Sequence, residues 1–192
     1  MGDENQVRKV YIKNMVCPRC ITAVRQGLET LGAEVISVDL GYADIKSGEI
    51  ADKDIDAMLA KQGFERLRNN HAILLEKVKT MIVKLVHSGT ISKLEQPVSD
   101  YLEKEIGKDY SALSKLFSQV EGITLEQYFI RQKVERAKEL IFYGELNFSE
   151  IADQLGYSSV AYFSAQFKNI TGQTPSQFKS LRKPGHKALD KL

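Results

Sequence analysis

The sequence predicts an α+β chain: a βαββαβ module over residues 1–70, then an all-helical half over residues 71–192 with two helix-turn-helix units. Three observations carry this. Residues 7–67 alternate between two-residue and helical hydrophobic spacing, in the order strand, helix, strand, strand, helix, strand. From Ile73 onward the apolar residues recur at helical spacing. One pattern is also written twice, 50 residues apart, as LSKLFSQVEGITLEQY (Leu113 to Tyr128) and FSAQFKNITGQTPSQF (Phe163 to Phe178). A repeat of this period says that one supersecondary unit was used twice.

The elements of the first module follow in order. Val10, Ile12 and Met15 face one side of a half-buried strand over 7–15. Cys17-Pro18-Arg19-Cys20 then opens a helix to about Leu31, with Ile21, Val24, Leu28 and Leu31 apolar and Gly32 as its stop. Ala33 to Leu40 alternates and is β-branched, Gly41 turns the chain, and Tyr42 to Lys46 returns as a strand. Asp52 to Ala60 forms the second helix, with Ile55, Met58 and Leu59 inward and Gly63 closing it, and Phe64 to Leu67 is a last strand. This order is that of a ferredoxin-like sandwich.

Residues 68–72 read as a connector, and Ile73 to Val86 as a strongly apolar helix (Leu74, Val78, Met81, Ile82, Leu85) that opens the second half. Gly89 to Gln96 reads as a loop. In the first repeated unit, Leu102 and Ile106 precede Gly107 and a new helix starts near Tyr110. In the second, a helix starts at Asn147-Phe148-Ser149-Glu150 with Ser149 as its cap, and Ile151, Ala152 and Leu155 share one side. Gly156 makes the turn, and Ser158 or Ser159 caps a helix running to about Asn169. The turn glycines are 49 apart and the helices after them 50 apart, so the second turn is one residue longer. The two motifs fall near 98–121 and 149–170, joined by a helix over about 124–143. That helix sets Ile130, Val134, Ala137 and Ile141 against a wet face with Arg131, Lys133, Arg136 and Lys138.

SEIADQLGYSSVAYFSAQFKNITGQTPSQFK (149–179) and the preceding run from Gln127 to Leu140 resemble the DNA-binding region of AraC/XylS-type bacterial regulators over roughly 75–183. The resemblance implies two subdomains reading successive major grooves, with double-stranded DNA and RNA polymerase as partners. The first segment resembles the heavy-metal-associated domain of copper chaperones and metal-transport ATPases, through its element order and Met15-x-Cys17-x-x-Cys20. It departs from that family in Asn14-Met15-Val16 before the first cysteine and in Pro18 between the two.

In the first reading helix, Leu113, Leu116, Phe117 and Val120 are expected in the core, and Ser111, Lys115 and Ser118 outward, flanked by Ser114. In the second, Phe163, Phe167 and Ile170 are expected inward, and Ala161, Ala165 and Lys168 outward, flanked by Ser159 and Ser164. Lys115 suits guanine, the serines suit either partner, and alanine touches only a thymine methyl. Many members of the family that the helical half resembles carry a basic residue where Ala165 stands, so more of the base reading is expected of the first helix and phosphate grip of Lys168. The run Lys179, Arg182, Lys183 adds phosphate contacts or is a solvated tail, mobile from Arg182 onward. Phe117, Phe142, Tyr157, Phe163, Phe167 and Phe178 are expected in the core.

Pro18 suits the first position of a helix, which places Cys20 in the first turn. Two such thiols can take one soft ion such as Cu(I), form a redox dithiol, or be ordinary thiols on an inherited fold. No other cysteine is present, and His71, His87 and His186 show no ligand spacing, so a closed zinc site is not expected.

Composition narrows the class. Apolar content is 43% and charged content 27% in 192 residues, ordinary for a globular protein. No apolar run is long enough for a membrane helix and no signal-peptide pattern opens the chain, which together with one CxxC predicts a cytoplasmic location without a membrane partner. Lys+Arg against Asp+Glu is 10 to 12 over residues 1–76 and 17 to 13 over 77–192, so the basic excess lies with the helical half. No catalytic constellation is present. The expected function is a sequence-specific transcription regulator responsive to a soft metal or redox state. Its rivals are a metal carrier whose helical half contacts protein and a thiol oxidoreductase, and a homodimer remains open.

Overall fold

A computed structural model describes residues 7–46 and 50–181. Arg182, Lys183, His186 and the expected tail lie outside the described residues, as does the start of the chain before Val7. The chain divides into two compact units between Met81 and Ile82. The division falls inside a helix, later than position 70 where the sequence reading sets it.

In the first unit the elements are β1 (Val7–Lys13), α1 (Pro18–Thr30), β2 (Val35–Asp39), β3 (Tyr42–Lys46), α2 (Asp52–Lys61) and β4 (Glu65–Leu67). The strands form one sheet in the order β2-β3-β1-β4, antiparallel throughout, with Val10 opposite Ala43 and Tyr11 opposite both Tyr42 and Leu67. The alternation of β1 and β3 sends Val10, Ile12, Ala43 and Ile45 to one face, where they meet Val24 and Leu28 of α1 and Ile55 and Leu59 of α2. The two helices approach closely at Gly27, where a Cβ would lie 2.4 Å from Met58 Sδ.

Helix α3 (Asn70–Ser88) begins earlier than its apolar spacing indicates. Asn69 Oδ1 accepts from the backbone N–H of His71 at 2.8 Å and of Ala72 at 3.3 Å, so the expected connector is the capped start of a helix.

The second unit continues from Ile82 with a 3-10 turn (Ile91–Lys93) inside the expected loop, then α4 (Val98–Ile106), α5 (Tyr110–Glu121), α6 (Leu125–Tyr143), α7 (Phe148–Gln154), α8 (Val160–Thr171) and α9 (Pro175–Leu181). Its core gathers Leu102, Leu113, Phe117, Val134, Ala137, Ile151, Phe163 and Phe167. No helix among the described residues is long and apolar enough to cross a membrane.

Several expectations are corrected here. Val120 is 60% exposed and Ile170 40%, because each sits in the last turn of its helix, past the residues that cover Phe117 and Phe167. Phe142 is 63% exposed: the buried stripe of α6 runs through Val134, Ala137, Leu140 and Ile141, and Phe142 is one step round from it. Leu116 is half-buried. The cap of α7 is Asn147 rather than Ser149, since Asn147 Oδ1 accepts from Ser149 N–H (2.9 Å) and Glu150 N–H (3.0 Å) while Glu150 returns a bond to Asn147 N–H.

Lys133 is the largest correction. It stands on the buried side of α6, 7% exposed, with Nζ 3.5 Å from the ring centre of Tyr157 and 5.4 Å from that of Phe129. Burial pushes its pKa down to about 8, and the Tyr157 ring face opposes that by attracting the cation. The folded chain thus releases this proton near pH 8, while the unfolded chain keeps it to the ordinary value of 10.5. Between those values the unfolded state holds more protons, so stability rises with pH. Urea titrations should show a gain of about 1–2 kcal/mol from pH 8 to pH 10, absent in Lys133→Met. An equal gain in the variant would show that another group is responsible.

A second expectation concerns the turns. Gly107 and Gly156 both turn left-handed, at φ 70 and φ 65, but a Cβ at Gly156 would lie 2.4 Å from Ile91 Cγ2 while one at Gly107 meets nothing within 4 Å. Gly107→Ala should cost about 1 kcal/mol, the strain of the backbone region alone. Gly156→Ala should cost about 2–4 kcal/mol, because overpacking adds to it. Equal losses would remove the contact with Ile91 from the account.

Candidate functional site

Each repeated unit presents one helix outward. In the first, α4 is closed by Gly107 and α5 starts three residues after that glycine, capped by Asp109, which accepts from Ala112 N–H at 3.0 Å. In the second, α7 leads through Gly156 and Tyr157 to Ser159, whose hydroxyl accepts from Tyr162 N–H at 3.1 Å and caps α8. Leu113 and Phe117 hold α5 by one face, and Phe163 and Phe167 hold α8 by the matching face.

The faces left over carry the residues singled out in the sequence. On α5, Ser111 and Lys115 are exposed and Ser114 and Ser118 half-buried. Ser111 donates to Asp109, and Ser118 donates to Ser114 O at 2.8 Å, so both hydroxyls keep only acceptor capacity for a ligand. On α8, Ala161, Ala165 and Lys168 are exposed and Ser164 half-buried, while Ser159 spends acceptor capacity on its cap and keeps its O–H to donate. Lys115 and Lys168 make no ion pair with any described residue. A lysine on an open helix face without a carboxylate partner suits a phosphate or a guanine edge.

Sequence reasoning missed Gln119 and Asn169. Both are exposed, one turn beyond Lys115 and Ala165 on the same outward faces. Their amides are of the type that pairs with adenine. The repeat itself held the signal, since the two amides stand 50 residues apart. Tyr162, 53% exposed, was also missed; its Oη accepts from Gln166 Nε2 at 3.1 Å.

The other marked residues lie in the first unit. Cys17 is the N-cap of α1, Pro18 follows at its first turn, and the two sulfurs stand 3.4 Å apart, both half-buried. The backbone N–H of Cys20 holds the Cys17 thiol below its ordinary value, against the effect of burial, and the Cys20 side chain and Arg19 add to the lowering. No group of three or more His, Cys, Asp or Glu side chains able to hold a metal occurs among the described residues.

If Lys168 grips phosphate, Lys168→Ala should weaken binding to all DNA sequences alike and reduce the slope of log affinity against log salt by about 1. An unchanged slope in a salt titration would take Lys168 off the interface.

Comparison with known proteins agrees with this geometry. A family described as "Helix-turn-helix domain" matches residues 102–180. The chain is 30% identical over 98 residues to the Msm operon regulatory protein of Streptococcus mutans serotype c, a match covering 51% of this chain and 34% of that protein. It is 36% identical over 81 residues to an HTH-type transcriptional regulator of Staphylococcus aureus, covering 42% of this chain and 11% of that one. The chain thus spans about a third of the length of the first relative and about a tenth of the second. The C-terminal domain of AraT, a response regulator from Geobacillus stearothermophilus, shares the fold with a TM-score of 0.52 at 23% identity, over 62% of this chain and 94% of that one. Residues 102–180 of the chain thus match a helix-turn-helix domain.

Proposed function

We propose that the chain is a sequence-specific DNA-binding regulator of transcription and not an enzyme. One observation carries this reading: two repeat-related helices, α5 and α8, turn uncovered faces outward, each with a lysine that has no ion-pair partner among the described residues. Lysine contacts with phosphate supply affinity, and contacts with base edges supply sequence preference. The two faces differ. On α5, Ser111, Ser114, Lys115 and Ser118 offer polar groups, so α5 is the base reader. On α8, Ala161 and Ala165 leave methyl contacts, and Lys168 the grip. RNA polymerase and a second copy of the chain are the further partners this reading admits, in the cytoplasm.

The helical half is read as the DNA-binding domain, with its motifs near 98–121 and 149–170. The first unit is read as a ferredoxin-like sensor domain of the heavy-metal-associated kind. Its support is the strand and helix order and the cysteine pair at the start of α1. Cys17 and Cys20 fit a soft ion that accepts two thiolates, such as Cu(I), and do not fit a closed zinc site, because no third ligand stands with them among the described residues. When bound, such an ion would tie the two sulfurs together at the entry to α1.

The deciding experiment is a binding titration of wild type and Lys115→Ala on the DNA upstream of the protein's own gene, with single base-pair variants of the bound site. The substitution should cost about 1–3 kcal/mol and relax preference at one G·C pair. No change with any sequence would move the reading to a metal carrier whose helical half contacts protein.

A further inference from the structure

The cysteine pair stands at the end of a short loop with fixed anchors. Asn14, the first residue after β1, is left-handed at φ 73, the one non-glycine described residue with positive φ. Its backbone N–H donates to Glu76 Oε1 at 3.2 Å, and its side-chain Nδ2 donates to Gly63 O at 3.3 Å. Met15 is next, 2% exposed in the core of the first unit. Val16 is exposed, and Cys17 follows. Glu76 lies on α3, 6% exposed, and is held by Lys79 Nζ at 3.0 Å. One turn further along α3, Thr80 Oγ1 stands 3.0 Å from where a Cβ on Gly41 would lie, so this part of α3 is closely seated on the β2–β3 turn.

The two sulfurs are 3.4 Å apart and both half-exposed, so a small oxidant or reductant reaches them. A disulfide would bring them to about 2.05 Å. Cys17 must then shift by roughly an ångström toward Cys20, which sits within the first turn of α1. Met15 cannot follow without opening the core. With the Met15 side chain held in the core, the backbone pivots about it, so the shift passes through exposed Val16 to Asn14, whose backbone is already in a sparsely populated region.

We propose that Cys17 and Cys20 are a site of reversible disulfide formation, and that Glu76 on α3 reads its state through the Asn14 N–H. The oxidant is a low-molecular-weight disulfide. One cysteine attacks it as thiolate, forming a mixed disulfide and releasing one thiol, and the other cysteine displaces the second thiol. The two cysteines give up two protons and two electrons, and the small disulfide leaves as two thiols. Glu76 is a positioning residue: it touches no reacting atom and acts through Asn14. The reading of the bond by α3 rests on the first unit alone, and only its effect on DNA affinity rests on the DNA-binding reading above.

The full chain is equilibrated in buffers of reduced and oxidised glutathione, without metal, and three quantities are followed. Mass spectrometry should show loss of two hydrogens within one chain, absent in Cys17→Ser and in Cys20→Ser; mixed disulfides or cross-linked dimers alone would overturn the proposal. Amide hydrogen exchange should change at Asn14 on oxidation, and in Glu76→Ala, which has no acceptor for the Asn14 N–H, it should be the same in both states. Unchanged exchange in the wild type, or a change that persists in the variant, would remove Glu76 as the reader. DNA affinity should differ at least about fivefold between the two states, and not in Glu76→Ala, whose reduced form still binds. Equal affinity with altered exchange would confine the switch to the first unit and overturn the proposed regulation. Absence of DNA binding in both states would instead count against the DNA-binding reading, with exchange at Asn14 still deciding the disulfide and its reader.

Discussion

The ring of Phe117 rests against Tyr128 at 5.3 Å between centres, and fifty residues on Phe167 rests against Phe178 at 5.5 Å. This repeated pair is the constraint on which the helical half depends. In each unit it ties an outward helix to the helix that follows, α5 to α6 and α8 to α9. Tilted and edge-on rings at this separation add directional attraction to the area they bury. A helix held by one such face has little freedom to roll, so the opposite face keeps its direction. The readable surface of α5 and α8 is what remains once the phenylalanines are seated.

Much of this was legible in the residues. Alternation placed β3 at 42–46, where it is found, and the joining helix and both turns fell within a residue or two of their observed positions. What failed has a common cause. Periodicity says which side of a helix is apolar but not how far along the helix its neighbours reach, so Val120, Ile170 and Phe142 were assigned to a core that ends before them. Caps failed for a different reason. Asn147 and Ser149 are both good capping residues, and only the path of the chain decides which faces the free N–H groups. Asn69 went unnoticed because its capping bonds extend α3 back before the apolar stripe begins.

Of the marked site residues, the outward lysines and serines lie on the faces their spacing indicated, but spacing could not show which hydroxyls serve their own helix. Lys133 was misread because charge outweighed position in the reading. It stands four residues before Ala137 on the buried stripe, and the rings that receive it come from Phe129, four residues earlier on α6, and from Tyr157, distant in sequence.

The extra residue in the second turn has a consequence for how the duplication can change. Tyr157 occupies that longer turn, and its ring also meets Phe163 at 5.3 Å. The first turn, Gly107-Lys108-Asp109, offers no ring. The two copies are therefore no longer interchangeable. A chain rebuilt from two copies of the first unit would leave the Lys133 ammonium enclosed without the ring it now faces, and an unpaired charge in a core is among the costliest states a fold can hold. The duplication has become directional: its halves still share a plan, but each is now tied to its own place in the chain.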